Sequence, residues 1–239
     1  MEKPHLMVVG STSAIGSCLI NRLKGRFKIS ALGRREQNFS GLDDQCIESF
    51  TFDALSTESI EQSFNGAVNH FGKVSFFIYC AGVQLIKPIR NLTSEEIDSL
   101  IRVNLSCPLI FSSLLASKKY SELDSVLCFI SSIAGKKPEP GIALYSASKA
   151  AIDSLVSSLA IEMRPRRVVG VAPGWLDTPM TKNYDNIYTP EYIKSLKEKS
   201  PLGLATVENV VDAVEFLFSE KAKLITGQVI TVDGGASIC

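Results

Sequence analysis

The chain has 239 residues, and its 25 lysines and arginines balance its 25 aspartates and glutamates, so its formal net charge is zero. This balance excludes a general attraction to nucleic acid or to an anionic membrane surface. The length suits one large α/β domain with a sizeable core. No apolar run reaches the roughly 18 residues of a membrane span. The first strand-like run begins too early to leave room for a signal peptide, so we expect a cytoplasmic protein.

Cysteine and histidine usage predicts no metal centre. The six cysteines are scattered without a C-x-x-C spacing, and the two histidines are isolated. Several of the cysteines fall inside apolar strand or helix patterns. We therefore expect buried, reduced thiols rather than disulfides or metal ligands.

Strand-like apolar runs alternate with helical patterns along the whole chain. The predicted strands are His5–Val9, Lys28–Leu32, Cys46–Phe52, Val74–Tyr79, Ser125–Ile130, Val168–Ala172 and Gln228–Val232. The predicted helices are Ile15–Lys24, Glu58–Phe71, Ser94–Val103, Ser106–Lys119, Tyr145–Met163 and Val207–Phe218. Continuous apolar strands that alternate with helices favour a parallel sheet covered on both faces. We predict an α/β fold: one doubly wound Rossmann-type domain over residues 1–239, with a seven-stranded parallel sheet and helices on both faces.

A glycine-rich turn joins the first strand to the first helix. The candidate residues are Gly10, Ser11, Thr12, Ser13, Ile15 and Gly16. The two glycines permit a tight turn and close backbone approach, and the N-terminus of the helix offers free N–H groups to a pyrophosphate. The position of the turn between a strand and a helix predicts a dinucleotide site.

The end of the second strand predicts which dinucleotide is bound. Gly33 stands where an acid would hold a ribose 2′-hydroxyl, and Arg34 and Arg35 follow it. Arginine suits a 2′-phosphate by charge and by its forked donors. We therefore favour NADP(H) over NAD(H), the alternative being a solvated basic turn.

The next two strands also end in candidate cofactor residues. Asp53, followed by Ala54, could accept a hydrogen bond from an adenine amino group, or could equally form a turn or a helix cap. Cys80, Ala81 and Gly82 are small, so the chain could pass close beneath a cofactor.

Tyr145 and Lys149 lie one turn apart on a predicted helix and therefore share a face. A nearby cation lowers the pKa of a phenol from its ordinary value near ~10, so that the phenol can exchange a proton with a carbonyl or an alcohol. Taken alone, the pair could also be two surface residues of an ordinary helix.

The least regular stretch runs from residue 177 to residue 204. It contains three prolines, three tyrosines and a short helix candidate, Glu191–Lys199. An insertion at the carboxyl edge of a parallel sheet is where a substrate-binding lid would lie. Trp175 and the lid tyrosines Tyr184, Tyr188 and Tyr192 could line a substrate pocket or pack the lid.

Several short motifs occur in the order and at the spacing of one known family. The glycine-rich turn follows T-G-x-x-x-G-x-G, with Val9 for the threonine and Ala14 for the middle glycine. Tyr145 and Lys149 form Y-x-x-x-K. Pro173–Met180 matches P-G-x-x-x-T-x-M, and Thr226–Gly235 matches the closing motif. Over essentially its whole length the sequence resembles the short-chain dehydrogenases/reductases.

The resemblance implies roles for four catalytic residues. Tyr145 would be the general acid in reduction, and Lys149 would lower its pKa and hold the nicotinamide ribose. Ser132, rather than the neighbouring Ser131, would hydrogen-bond the substrate oxygen. Asn104 would support a water chain that resupplies protons. Three further residues, Pro173, Gly174 and Thr178, would position the nicotinamide carboxamide.

Within the family the sequence most resembles the 3-oxoacyl-[acyl-carrier-protein] reductases of fatty acid biosynthesis. This resemblance implies an NADPH-dependent carbonyl reductase that converts a 3-oxoacyl thioester or a similar ketone to the 3-hydroxy product. The alternatives are an NADP-dependent dehydrogenase of a sugar, polyol or secondary alcohol, and a non-catalytic NADP-binding regulatory protein. The intact set of four catalytic residues argues against the last.

The resemblance also implies a homotetramer, or a homodimer, formed through two of the helices and the C-terminal strand region. The segment Arg164–Arg167, with Lys118 and Lys119, could form a basic patch for an acyl carrier protein. We favour the simpler interpretation, in which these residues are solvated helix ends.

Overall fold

Seven parallel strands form one sheet in the computed structural model, which describes residues 3–36 and 46–239. In chain order the strands are β1 His5–Val9, β2 Lys28–Gly33, β3 Ile47–Thr51, β4 Val74–Tyr79, β5 Ser121–Ile130, β6 Arg167–Pro173 and β7 Val229–Val232. Their order across the sheet is β3-β2-β1-β4-β5-β6-β7. The chain winds outwards from β1 to one edge and then from β4 to the other, so the strand order reverses between β1 and β4. The predicted doubly wound sheet is confirmed. The predicted domain also includes residues 1–2 and 37–45, which lie outside the described part.

Helices cover both faces of the sheet. They are α1 Ala14–Leu23, α2 Thr57–Phe71, α3 Ser94–Ile101, α4 Cys107–Leu115, α5 Ala143–Glu162, α6 Pro179–Lys182, α7 Pro190–Glu198 and α8 Val207–Phe218. Successive side chains of a strand point to opposite faces. Accordingly Leu6 and Val8 of β1 belong to the buried cluster that includes residues of α1 and α8, and Met7 and Val9 belong to the cluster with α2, α4 and α5.

Helices α3 and α4 are joined by a π-helical turn, Arg102–Ser106, in which the Cys107 N–H donates to the Arg102 carbonyl. Within the described residues, Ser94–Leu115 is the one helical stretch long and apolar enough to cross a bilayer by length and composition. Leu100 and Phe111 of this stretch are buried in the core, as in a core helix of a globular domain.

The structure extends β5 by four residues beyond its predicted start at Ser125 and ends α4 before its predicted end at Lys119. Residues 121–124 are mostly polar, and strand patterning therefore does not detect them. Ser121 is nevertheless buried: its hydroxyl donates to the Leu115 carbonyl at 2.7 Å and accepts from Arg166 Nε at 2.8 Å. Hydrogen bonds to distant parts of the chain, rather than local sequence pattern, therefore set where β5 begins.

Two arginines of the basic segment Arg164–Arg167 form hydrogen bonds within the protein. Arg166 is buried against Ser121, and Arg167 donates to the carbonyls of Leu217 and Ala222. This segment lies at the amino end of β6. A carrier protein docked there would be on the side of the sheet away from the carboxyl ends of the strands. Arg166 and Arg167 are therefore structural, and the interpretation of this segment as a solvated helix end is wrong for these two residues, whereas Arg164, Lys118 and Lys119 are exposed.

The six cysteines are all free thiols, as expected, and three of them, Cys80, Cys107 and Cys128, are buried. Burial raises the pKa of the Cys80 thiol to about 12 and that of the Cys107 thiol to about 11. These two side chains therefore behave as small apolar residues at neutral pH.

His5 fixes the amino end of the sheet and supplies a test of the fold. Its Nδ1 lies 2.9 Å from the Gly72 carbonyl, and its Nε2 lies 2.8 Å from the Ser30 hydroxyl. The carbonyl can only accept, so Nδ1 carries the proton and Nε2 accepts from Ser30. This is a neutral ring. Burial is the largest cause that lowers its pKa from 6.5 to about 4.

We expect this histidine to make the fold sensitive to acid. The unfolded chain binds a proton below about pH 6.5 and the folded chain only near pH 4, so stability is lost as the pH falls between these values. Chemical denaturation at pH 7 and pH 4.5 should show a loss of about 2–3 kcal/mol from this group. The His5→Gln variant controls for other titrating groups, and an equal loss in both proteins would contradict the assignment.

Candidate active site

A cleft of about 890 Å³ lies across the carboxyl ends of the strands, where the strand order reverses between β1 and β4. It is lined by the turn after β1, by the residues that follow β4 and β5, by α5 and by the segment 177–204. Open α/β sheets bind ligands at this place.

The turn after β1 is built around two close backbone contacts. Gly10 has φ of 91°, and a Cβ on it would lie 2.4 Å from the Ala81 backbone nitrogen. A Cβ on Gly16 would lie 2.3 Å from the Gly10 carbonyl oxygen. Only glycine fits at either position. The Ser13 hydroxyl caps α1 by accepting from the Gly16 N–H at 3.0 Å. The start of α1 therefore faces the cleft, where its free N–H groups and helix dipole suit a phosphate.

Most of the predicted cofactor residues line the cleft. They are Gly10, Thr12, Ser13, Ile15, Arg34, Ala54, Cys80, Ala81, Gly82, Tyr145, Lys149, Pro173, Gly174 and Thr178.

The remaining four are placed elsewhere. Ser11 is fully buried, and Gly16 packs under Gly10. Arg35 is exposed and does not line the cleft. Asp53 Oδ1 accepts from the Leu55 N–H at 2.9 Å, which is the turn-forming alternative for this residue.

The end of β2 packs closely against the turn after β1, so a side chain at Gly33 would have to displace the Ser11 hydroxyl. A Cβ on Gly33 would lie 2.9 Å from the Ser11 hydroxyl oxygen. The exposed Arg34 stands next to it at the cleft. The chain thus fits a dinucleotide, since it offers a glycine cradle and free helix N–H groups, with the cation of Arg34 beside them.

Asn104 is buried and faces inwards from the π-helical turn. Its Oδ1 accepts from the Val83 N–H at 2.9 Å, and its Nδ2 donates to the Val83 carbonyl at 2.9 Å and to the Ser148 hydroxyl at 3.0 Å. The Ser148 hydroxyl in turn donates to the Tyr145 carbonyl at 2.7 Å. Asn104 therefore ties the residues that follow β4 to α5. Sequence reasoning missed Ser148, because an isolated serine carries no signal.

The two serines after β5 have different surroundings. The Ser131 hydroxyl is buried and donates to the Lys149 carbonyl at 3.1 Å. The Ser132 hydroxyl accepts from the Ala134 N–H at 3.2 Å, and hydrogen bonding by Ser132 opposes the rise in the pKa of Tyr145. Ser132 and Tyr145 both line the cleft.

Lys149 is buried beneath Tyr145. Its Nζ donates to the Ile130 carbonyl at 3.0 Å and lies 5.7 Å from the centre of the Tyr145 ring. Burial lowers the pKa of Lys149 from 10.5 to about 8. Burial also raises the pKa of Tyr145 to about 12, an effect larger than the opposing hydrogen bond from Ser132. Lys149 was expected to lower the pKa of Tyr145; the pKa is instead raised, and desolvation of the phenolate by burial is the largest cause.

Three tyrosines connect the segment 177–204 to the cleft wall. The Tyr184 hydroxyl donates to the Gln84 carbonyl at 3.0 Å, and Gln84 Nε2 donates to the Tyr188 hydroxyl at 2.9 Å. The Tyr192 hydroxyl donates to Glu139 at 2.7 Å. Sequence reasoning missed Gln84 and Glu139. Gln84 could have been found, because it closely follows the end of β4, and residues after strand ends often line a site.

The C-terminal segment lines the cleft beside the turn after β6. Asp233 is buried and accepts from the N–H groups of Gly235 and Ser237 at 2.9 and 2.7 Å. A Cβ on Gly174 would lie 2.9 Å from the Cβ of Asp233. This contact holds the turn after β6 in place. The closing motif, Thr226–Gly235, therefore shapes the cleft by packing against that turn.

A doubly wound sheet, a phosphate-binding turn and a Ser–Tyr–Lys group in one cleft define a dinucleotide-dependent oxidoreductase. The family model described as Enoyl-(Acyl carrier protein) reductase matches residues 30–237. L-xylulose reductase of Mus musculus is 30% identical over 236 residues, which cover 96% of this chain and 94% of that protein. The 3-oxoacyl-[acyl-carrier-protein] reductase of Aquifex aeolicus is 29% identical over 243 residues, covering 96% and 95%.

Solved structures agree with these relatives. A 4-hydroxyisoleucine dehydrogenase complexed with NADH is 26% identical with a TM-score of 0.89, and 99% of this chain and 100% of that chain are covered. A gluconate 5-dehydrogenase from Burkholderia cenocepacia, in complex with NADP and tartrate, has a TM-score of 0.90 at 21% identity, covering 100% and 97%; this second likeness shows the fold alone. The chain belongs to the short-chain dehydrogenase/reductase family and is an NAD(P)-dependent oxidoreductase acting on CH–OH and C=O groups.

We expect Lys149→Met to stabilise the protein while it abolishes turnover. Lys149 is charged in both states below about pH 8, so its burial costs free energy there, and the cost disappears above pH 10.5, where both states are neutral. After the lost hydrogen bond to Ile130 is subtracted, the gain at pH 7 should be about 2 kcal/mol, or a Tm higher by about 4–8 °C.

Thermal unfolding at pH 7 measures this gain. The exposed Lys194 of α7 supplies the control, because Lys194→Met removes a charge without relieving burial and should leave the Tm nearly unchanged. A Tm that falls in the Lys149 variant would refute the burial cost.

Proposed function

We propose that this protein uses NADPH to reduce a small polar ketone to a secondary alcohol. The observation that carries the proposal is a polar wall in the cleft that Tyr145 also lines. Gln84, Glu139, Tyr188 and Tyr192 line this part of the cleft and are hydrogen-bonded to one another in pairs. A wall of this kind favours a substrate with hydroxyl groups over a bare acyl chain.

The chain's own residues supply orientation and one proton. When bound, the nicotinamide supplies the hydride. Ser132 and Tyr145 hold the substrate oxygen from two sides and stabilise the charge that develops on it. Tyr145 then gives its proton to that oxygen. Because burial holds the pKa of Tyr145 near 12, its hydroxyl is protonated at neutral pH, as reduction requires.

The proposal includes Asn104 and Lys149 as the remaining catalytic residues and the segment 177–204 as a substrate-binding lid. The buried Lys149 ammonium stabilises the phenolate left on Tyr145 after the proton has moved. Asn104 keeps the backbone at Val83 fixed beside it. Tyr184, through its bond to Gln84, keeps the lid over the cleft.

The second candidate is reduction of a 3-oxoacyl thioester. The apolar side chains Met180, Leu196 and Leu204 also line the cleft and could hold a short acyl chain. The similarity to 3-oxoacyl-[acyl-carrier-protein] reductases supports it. Against it, the polar wall is poorly suited to an aliphatic chain.

An assay of NADPH consumption separates the two candidates. We expect a small ketose or hydroxyketone to give a kcat/KM at least about tenfold above that of an acetoacetyl thioester, since its hydroxyls satisfy the polar wall. The Tyr145→Phe variant should lose turnover by at least about 10²-fold, as expected when a general acid is removed, with NADPH binding nearly unchanged. Preference for the thioester would favour the second candidate, and turnover that survives in the variant would refute the mechanism.

We assign the 2′-phosphate of NADPH to Arg34. In Arg34→Ala, KM for NADPH should rise about tenfold or more while KM for NADH stays nearly constant, because only NADPH carries the phosphate. Arg35→Ala is the matched control: this neighbouring arginine is exposed away from the cleft, and its loss should have a smaller effect. Equal losses for both cofactors in Arg34→Ala would remove the argument for NADP(H).

A further inference from the structure

The Tyr188 hydroxyl is a polar group in the cleft with no catalytic role assigned so far. Tyr188 is half-buried and lines the same cleft as Tyr145. Its ring lies 6.2 Å from the Trp175 ring in an edge-on contact and 5.7 Å from the Tyr192 ring. Two aromatic neighbours thus fix the direction in which the hydroxyl points.

The hydrogen bond from Gln84 decides what this hydroxyl can do. Gln84 Nε2 donates to the Tyr188 oxygen at 2.9 Å, so the oxygen acts as an acceptor there. In the part of the chain that the structure describes, no protein atom accepts the Tyr188 proton. Burial raises the pKa of Tyr188, so the hydroxyl remains protonated at neutral pH. It is therefore a positioned donor that lacks a protein acceptor.

In the proposed mechanism the reacting oxygen bonds Ser132 and Tyr145, so the Tyr188 proton goes to another oxygen of the substrate. Tyr188 is nevertheless close enough to Tyr145 to raise its pKa. The substrate oxygen nearest to the reacting one is a hydroxyl on the carbon next to the carbonyl, in the cleft that both tyrosines line. A cleft built to hydrogen-bond such an oxygen discriminates strongly against analogues that lack it.

We infer that Tyr188, held by Gln84, donates a hydrogen bond to a hydroxyl oxygen adjacent to the reacting carbonyl, so that the preferred substrates are α-hydroxy ketones. This inference rests on the proposed ketone reductase function and names the substrate class of that site. Tyr188 acts in it as a specificity-determining residue, while the proton still comes from Tyr145.

The test compares two ketones that differ by one hydroxyl group. Acetoin and 2-butanone share a four-carbon skeleton, and only acetoin carries the adjacent hydroxyl. We expect the wild-type protein to have the higher kcat/KM for acetoin. Tyr188→Phe keeps the ring and removes the donor, so kcat/KM for acetoin should fall about tenfold while that for 2-butanone changes less than about twofold.

Tyr184→Phe is the matched control. Tyr184 also connects the lid to Gln84, but through the backbone carbonyl, and it does not line the cleft. A merely looser lid would lower the rates for both ketones in both variants, and that result would overturn the inference. It would also be overturned if the acetoin-to-butanone ratio were unchanged in Tyr188→Phe. If the wild-type protein reduced 2-butanone as well as acetoin, the inference alone would fail. If it reduced no ketone, the proposed function would fail as well.

Discussion

Two backbones meet at the carboxyl ends of β1 and β4, and the cleft depends on this contact. Gly10 lies directly against Ala81, and Gly16 lies directly against Gly10, so three short segments stack without an intervening side chain. The packing brings the start of α1 up to the sheet at the place where the strand order reverses. A side chain at either glycine would separate the strand from the helix. The end of the cleft that we propose for phosphate therefore depends on the lack of side chains at Gly10 and Gly16.

The catalytic end relies on burial instead. The ammonium of Lys149 bonds the last carbonyl of β5, Asn104 bonds both polar groups of Val83, and Ser148 joins Asn104 to the helix. These buried polar groups satisfy one another and fix the side chains that surround the reacting oxygen. The cost is a lysine held where water cannot solvate it, an arrangement that proteins retain for function rather than for stability.

Much of this could be read from the sequence because it depends on local patterns. Continuous apolar runs located all seven strands, and the order of short motifs located Ser132, Tyr145 and Lys149. Contacts between distant segments could not be predicted in the same way. The bonds from Gln84 to the lid join residues about 100 positions apart, and no local pattern records them. The sequence also did not predict that the pKa of Tyr145 is raised. Residue spacing shows that a cation is nearby, but it does not show how deeply the phenol is buried.

The π-helical turn at Arg102–Ser106 has a consequence for the geometry of the whole helix. A π turn holds one more residue than the α turn it replaces, and it therefore offsets the helical phase after it by about 100°, the angle that one residue occupies. Before the offset, Leu100 faces the core; after it, Phe111 and Leu115 do. Asn104 lies within this turn, and its buried amide bonds Val83 and Ser148 from there. Chain length at this point is thus as specific as residue type, because losing one residue would rotate the part of the helix that carries Phe111 and Leu115 by about 100° relative to Leu100.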